Sequence, residues 1–160
     1  MLERCVGCSA EFDAIEGPIH RYMTSSPACW SCYGELLGVL AIQPGIAESR
    51  LYCVDAYAVQ HPGTPNPQAI QSVAVHLLNM YGYLVRGLPV TPPRLAGHKD
   101  AFHWLNPPAM PATRTVRDMP VSGDAAAIAA ASRAWVEAVW AAWAGHHAQV
   151  ARWHEAYAVA

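Results

Sequence analysis

Charge is scarce in this sequence: 14% of its residues are charged, and ten Lys and Arg are scattered through 160 positions without a run. No basic stripe exists to follow a phosphate backbone or an anionic membrane, so neither nucleic acid nor a membrane surface is an expected partner. A long apolar run is also missing, because Arg133, Glu137, His146 and His147 interrupt the alanine-rich C-terminal region. A membrane-spanning helix would need about 18 or more apolar residues in succession. The start, MLERCVGC, lacks the basic-then-apolar pattern of a secretion signal. A soluble, cytoplasmic protein is the expectation. Familiar catalytic signatures are absent too: there is no G-x-S-x-G elbow, phosphate-cradling glycine loop, H-E-x-x-H or dinucleotide fingerprint. No stretch alternates apolar and polar residues persuasively enough for a strand.

What is present describes a helical protein. An apolar fraction of 53% is enough to offset the ordering entropy of one compact core, and 160 residues fit one domain better than two. Ser26-Pro27 and Asn66-Pro67 each pair a capping side chain with a proline suited to the first helical turn, and Asp124 is a natural cap. The spacing predicts one helix from Pro27 to about Gln43. A second covers residues 47–60, with Leu51, Val54, Tyr57 and Ala58 inward, and a third runs from Pro67 towards Gly87. The last, from Asp124 to the end, is open to a bend or break at Gly145. Residues 88–123 form a proline-rich, ordered connection anchored by Phe102, Trp104 and Leu105, with short helical turns near Arg94 to Ala101. The expected fold is therefore mostly α: a single-domain helical bundle over residues 1–160, with a loop-rich cysteine-containing segment at residues 1–32.

Five cysteines in a reducing compartment point to metal or redox chemistry rather than structural disulfides. Cys5-x-x-Cys8 and Cys29-x-x-Cys32 have the two-residue gap that lets paired thiolates approach one tetrahedral ion, and zinc is the expected metal. The second pair falls in the first turn of a predicted helix, where the helix dipole favours thiolate. His20 lies between the pairs and competes with Cys32 as fourth ligand. A thioredoxin-like redox pair is disfavoured, since no strand and crossover helix surround either motif.

A second candidate centre combines Asp55, Tyr57 and His61 on the second helix, His76 on the third and His147 on the last, because bundles build sites from side chains on facing helices. Asp55 sits among apolar neighbours, so it must find a metal, a cation or hydrogen bonds. The bland readings are specific. His61 could cap its helix, and His76 could be a core histidine bonded to Asp55 or Tyr57.

Several stretches carry a resemblance. They are Cys5-x-x-Cys8, Gly17-Pro18-x-His20-x-Tyr22, Ser26-Pro27-x-Cys29-Trp30 and Tyr33-Gly34-Glu35-Leu36-Leu37, then residues 55–63 ending in Gln60-His61-Pro62-Gly63. Ser72-Val73-Ala74-Val75-His76-Leu77 and Trp140-x-x-Trp143-x-x-His146-His147 complete the set. On these the chain resembles a bacterial family of unknown function, domain of unknown function 5946, over nearly its whole length. The resemblance implies no activity. It implies that Cys5, Cys8, His20 and Cys29 belong to the family's motif while Cys32 and Cys53 do not, which favours a metal site completed by His20 or left open to water. Two functional expectations follow. One is a small metalloenzyme acting on a small molecule through Asp55, Tyr57, His61, His76 and His147; the other is a non-catalytic, zinc-stabilised helical binding module.

Overall fold

The structure is a computed structural model that describes residues 1–92, 99–110 and 114–157. It opens on a short antiparallel ribbon, β1 (Leu2–Arg4) and β2 (Glu11–Asp13), in which Glu3 faces Phe12. This ribbon corrects the expectation of no strands: three-residue strands are too short to show alternation, and only Phe12 turns into the core. The ribbon is followed by α1 (Pro27–Ile42), α2 (Ala47–Gln60), α3 (Pro67–Leu84), α4 (Ala125–Ala142) and α5 (His147–Tyr157). The fold is mostly α, and its buried side chains form one continuous core.

The helix ends follow from side chains that satisfy otherwise orphaned amides. Ser26 accepts from the Cys29 N–H at 3.3 Å, Asn66 from Ala69 at 2.9 Å and Asp124 from Ala127 at 2.7 Å. Beyond the C-termini of α1 and α3, Gly45 and Gly87 take positive φ of 78° and 64°. The C-terminal helical run is broken by a 3₁₀ turn at Ala144–His146, so α4 and α5 are separate helices.

α2 is the centre of the molecule. It packs most extensively on α4 and also on α3 and α1, while α3 additionally holds α5. Its expected single inner face is replaced by burial nearly all round: Leu51 and Val54 are half-buried, whereas Tyr52, Cys53 and every residue from Asp55 to His61 are buried. A helix enclosed by neighbours on several sides has no solvent face to pattern. Of the proline-rich connection, residues 94–98 of the expected turns at Arg94 to Ala101 lie outside the described residues, and Lys99–Ala101 forms a 3₁₀ turn. A further 3₁₀ turn, Val116–Asp118, is closed by Thr115, packs on α1 and sends the Arg117 guanidinium to the Glu11 carbonyl. No helix among the described residues is long and apolar enough to cross a membrane.

Candidate metal centre

Four ligand atoms from Cys5, Cys8, Cys29 and His61 lie within 4.8 Å of one another, and all four residues are buried. Each comes from a place where the backbone is already constrained. Cys5 and Cys8 occupy the turn of the β1–β2 ribbon, where Cys5 N–H donates to Ala10 O at 2.8 Å and Ser9 N–H returns to Cys5 O at 2.9 Å. Ser9 takes a left-handed φ of 62° to close that turn. Cys29 stands in the first turn of α1, where its own amide is held by Ser26. His61 is the residue at which α2 stops before Pro62.

The spacing fits a tetrahedral ion. Zinc–sulfur bonds of about 2.3 Å at tetrahedral angles put two sulfurs about 3.8 Å apart, and a sulfur and an imidazole nitrogen about 3.6 Å apart. The Cys8–Cys29 Sγ separation is 3.8 Å and the Cys29 Sγ to His61 Nε2 separation is 3.4 Å. The imidazole is also oriented for ligation. Its Nδ1 is 2.7 Å from the Tyr57 carbonyl, and since a carbonyl only accepts, Nδ1 carries the proton and Nε2 presents its lone pair to the sulfurs. Tyr57 supports a second ligand as well, with its hydroxyl 3.6 Å from Cys29 Sγ. Burial raises the Tyr57 phenol far above its ordinary range, so it keeps a proton it can offer to a thiolate at Cys29. Its ring is stacked between Tyr33 and His61, at 3.8 and 3.9 Å between centroids.

Without an ion, the three thiols divide their protons unequally. Hydrogen bonds from Cys29 and then Cys8 pull Cys5 well below the usual thiol range. Cys8 is drawn down by Cys29 but driven further up by Cys5 and by burial, to about 12. Cys29 is raised, by its bonds to Cys5 and Cys8 and then by burial. An ion entering the site must displace the protons the thiols carry.

His20 and Cys32, the two expected candidates for the fourth ligand, are not among the four. His20 Nδ1 accepts the Tyr22 N–H at 3.3 Å, and its ring lies edge-on to Tyr22 and Trp30. Burial lowers its pKa, and the neutral ring then carries its proton on Nε2, leaving no lone pair for an ion. Cys32 is half-buried one turn beyond Cys29; burial, then Glu35, raises its thiol, and His61 takes the corner it would have filled.

The expected Asp/His cluster is divided among three places. Tyr57 and His61 belong to the cysteine site. Asp55 and His76 pair with each other, Asp55 Oδ1 to His76 Nδ1 at 2.7 Å. His147 stacks on Trp140 with centroids 3.8 Å apart and places Nε2 2.9 Å from the Trp140 carbonyl, at the α4–α5 junction. His146 likewise bonds a backbone carbonyl, that of Asn106, at 2.8 Å.

The residues around His61 hold it in place in the folded chain. Gln60, fully buried, donates to the Arg114 carbonyl at 2.6 Å and accepts from the Trp135 indole at 3.0 Å. Gly63 has φ of 76° and faces the Tyr22 carbonyl so closely that a Cβ would collide with it. Gly7, between Cys5 and Cys8, leaves no room for a Cβ against His61, the Thr24 carbonyl and the Gln60 carbonyl. The end of α2 is thus fixed from several sides: by Arg114 and Trp135 at Gln60, by Tyr22 at Gly63, and by the cysteine turn at Gly7. No curated protein and no solved structure matches the chain. The family whose profile does match, over residues 3–144, is described only as a family of unknown function, DUF5946, and the chain belongs to it.

Proposed function

We propose that the protein is a zinc-stabilised helical module in which Cys5, Cys8, Cys29 and His61 hold one structural Zn²⁺. The observation that carries this reading is the buried set of four protein donors. A zinc ion with four protein ligands has no open position for water or substrate, whereas catalytic zinc sites keep one. The donor set also favours zinc over harder cations, which take oxygen ligands. When bound, the ion would tie the ribbon turn to the start of α1 and the end of α2. Tyr57, bonded to both His61 and Cys29, would fix two of the four ligands. The metalloenzyme reading draws no support from this site, and both Asp55 oxygens are already engaged by neighbouring side chains.

Elemental analysis of protein purified without added metal tests the proposal, and one equivalent of zinc per chain is expected. Cys5→Ser, Cys8→Ser, Cys29→Ser and His61→Ala should each abolish it. Because binding displaces thiol protons, zinc affinity should fall as pH falls. A protein that holds no zinc, or whose zinc survives His61→Ala, would sink this reading.

A further inference from the structure

A second built site lies away from the cysteines. Asp55 on α2 is 1% exposed, and its carboxylate receives three partners from α3: His76 Nδ1 at 2.7 Å on Oδ1, and Asn79 Nδ2 at 2.8 Å and the Tyr83 hydroxyl at 3.0 Å on Oδ2. An ionised carboxylate only accepts, so His76 Nδ1 donates to it and the imidazole is held in the tautomer whose basic nitrogen is Nε2. A buried hydrogen-bonded Asp would complete a purely structural network if the far side of the ring were also enclosed. It is not. The His76 side chain keeps 18% of its exposure and borders an open groove of about 280 Å³ with Tyr22, Gln68, Gln71, Ser72 and Val75.

That lining is informative. Gln68 and Ser72 precede His76 on α3 by eight and four residues, so the Gln68 amide and the Ser72 hydroxyl share its side of the helix; the Gln71 amide and Val75, five and one residues before it, border the groove from the flank. None of these three polar side chains hydrogen-bonds to another group among the described residues, and no lining residue carries a full charge apart from any on His76 itself. The groove therefore offers amide donors and one oriented base, with no cation for a phosphate or carboxylate and no anion for an amine. A neutral carbonyl compound is the ligand class these groups match.

We propose that this groove is a general-base site for the hydrolysis of neutral acyl substrates, with His76 as the catalytic base and Asp55 as its positioning residue. His76 Nε2 takes a proton from a water molecule as the water oxygen attacks the acyl carbon. The tetrahedral intermediate collapses, its bond to the leaving oxygen breaks, and the departing alkoxide takes the proton back from Nε2. An ester and a water thus become an acid and an alcohol, and the base is regenerated. Gln68, two turns before His76 on the same side of α3, supplies an N–H group to the carbonyl oxygen, and Tyr22 lines the same groove. The proposal is independent of the zinc assignment.

p-Nitrophenyl acetate, given to the full chain as purified, is the probe. Saturable hydrolysis exceeding that of the same concentration of free imidazole is expected. His76→Gln should lower kcat/KM by about 100-fold, the lower range for a positioned acid–base group. Asp55→Asn should lower kcat with KM little changed, and by more than any loss of folded protein measured by circular dichroism accounts for. Ser72→Phe, at a half-buried position, should block the groove while leaving His76 and Asp55 in place, and it carries the test if a His76 variant fails to fold by circular dichroism. Free imidazole should restore turnover to His76→Ala and not to Ser72→Phe. Hydrolysis no faster than free imidazole, or unchanged in His76→Gln and Ser72→Phe, overturns the proposal; hydrolysis by a bound metal would show that insensitivity.

Discussion

The N-terminal 25 residues and the helical body are stabilised by different means. The body buries Leu36, Leu77, Met80, Trp135 and Trp143 almost completely, around a helix enclosed on several sides. The N-terminal segment buries little besides Phe12 and its cysteines, and it leaves Met1, Leu2, Val6, Ile15 and Ile19 exposed. A two-stranded ribbon is marginal without a hydrophobic face to pack, so cross-linking through a metal is the stabilising device open to it. With the proposed zinc bound, the same chain would use packing where it has apolar area and coordination where it does not.

Metal removal is the strongest way to break this comparison. Structural zinc is worth about 10 kcal/mol or more in small zinc-dependent domains. A chelator, or Cys29→Ala, should therefore release the ribbon and the loop before α1 while most of the helical circular dichroism persists. Limited proteolysis should then cut within residues 1–25. Simultaneous loss of all helical signal would show that the body depends on the metal too. Gly7→Ala strikes the joint between the two regions. Its new Cβ meets His61, Thr24 and Gln60, two of them through backbone carbonyls that cannot swing away. A loss of about 3 kcal/mol is expected, together with weakened zinc retention in a competition assay. Tyr83→Phe sharpens the other side. It removes one donor from the buried Asp55 carboxylate, at a cost of about 1–3 kcal/mol, and should lower the melting temperature of the body without changing zinc content.

The helical frame was legible in the sequence because its signals are local. Ser26-Pro27, Asn66-Pro67 and Asp124 are cap residues acting on amides three positions away, and they place the starts of α1, α3 and α4. The span of α2, residues 47–60, was readable from the apolar spacing and the His61-Pro62-Gly63 stop. The ribbon was hidden by its shortness. The inner faces of α2 were hidden by its central position, since a helix contacted on several sides gives no stripe. At the metal centre, three thiols could be paired by spacing, but His61 joins them from more than fifty residues beyond Cys8, through the folding of α2 onto the ribbon turn. Nothing local to His61 distinguishes a ligand from a helix cap; the close approach of Gly7 to it is visible only in three dimensions.

The smallest expected effects belong to His20 and Cys32, and they separate the N-terminal site from its nearest alternatives. Cys32→Ser removes a half-buried thiol that contributes only packing, and His20→Ala removes edge contacts to Tyr22 and Trp30. Each should cost about 1 kcal/mol or less, and each should leave one equivalent of zinc bound. The contrast with His61→Ala is decisive because both histidines lie beside aromatic rings, and only His61 presents a lone pair to the sulfurs. Zinc lost on Cys32→Ser but kept on His61→Ala would restore the four-thiolate arrangement. Zinc lost on His20→Ala alone would mean that the ring turns away from the Tyr22 amide to reach the ion. Retention in both, with loss in His61→Ala, leaves the end of α2 as the fourth ligand and makes the metal the tether between the packed and the unpacked parts of the chain.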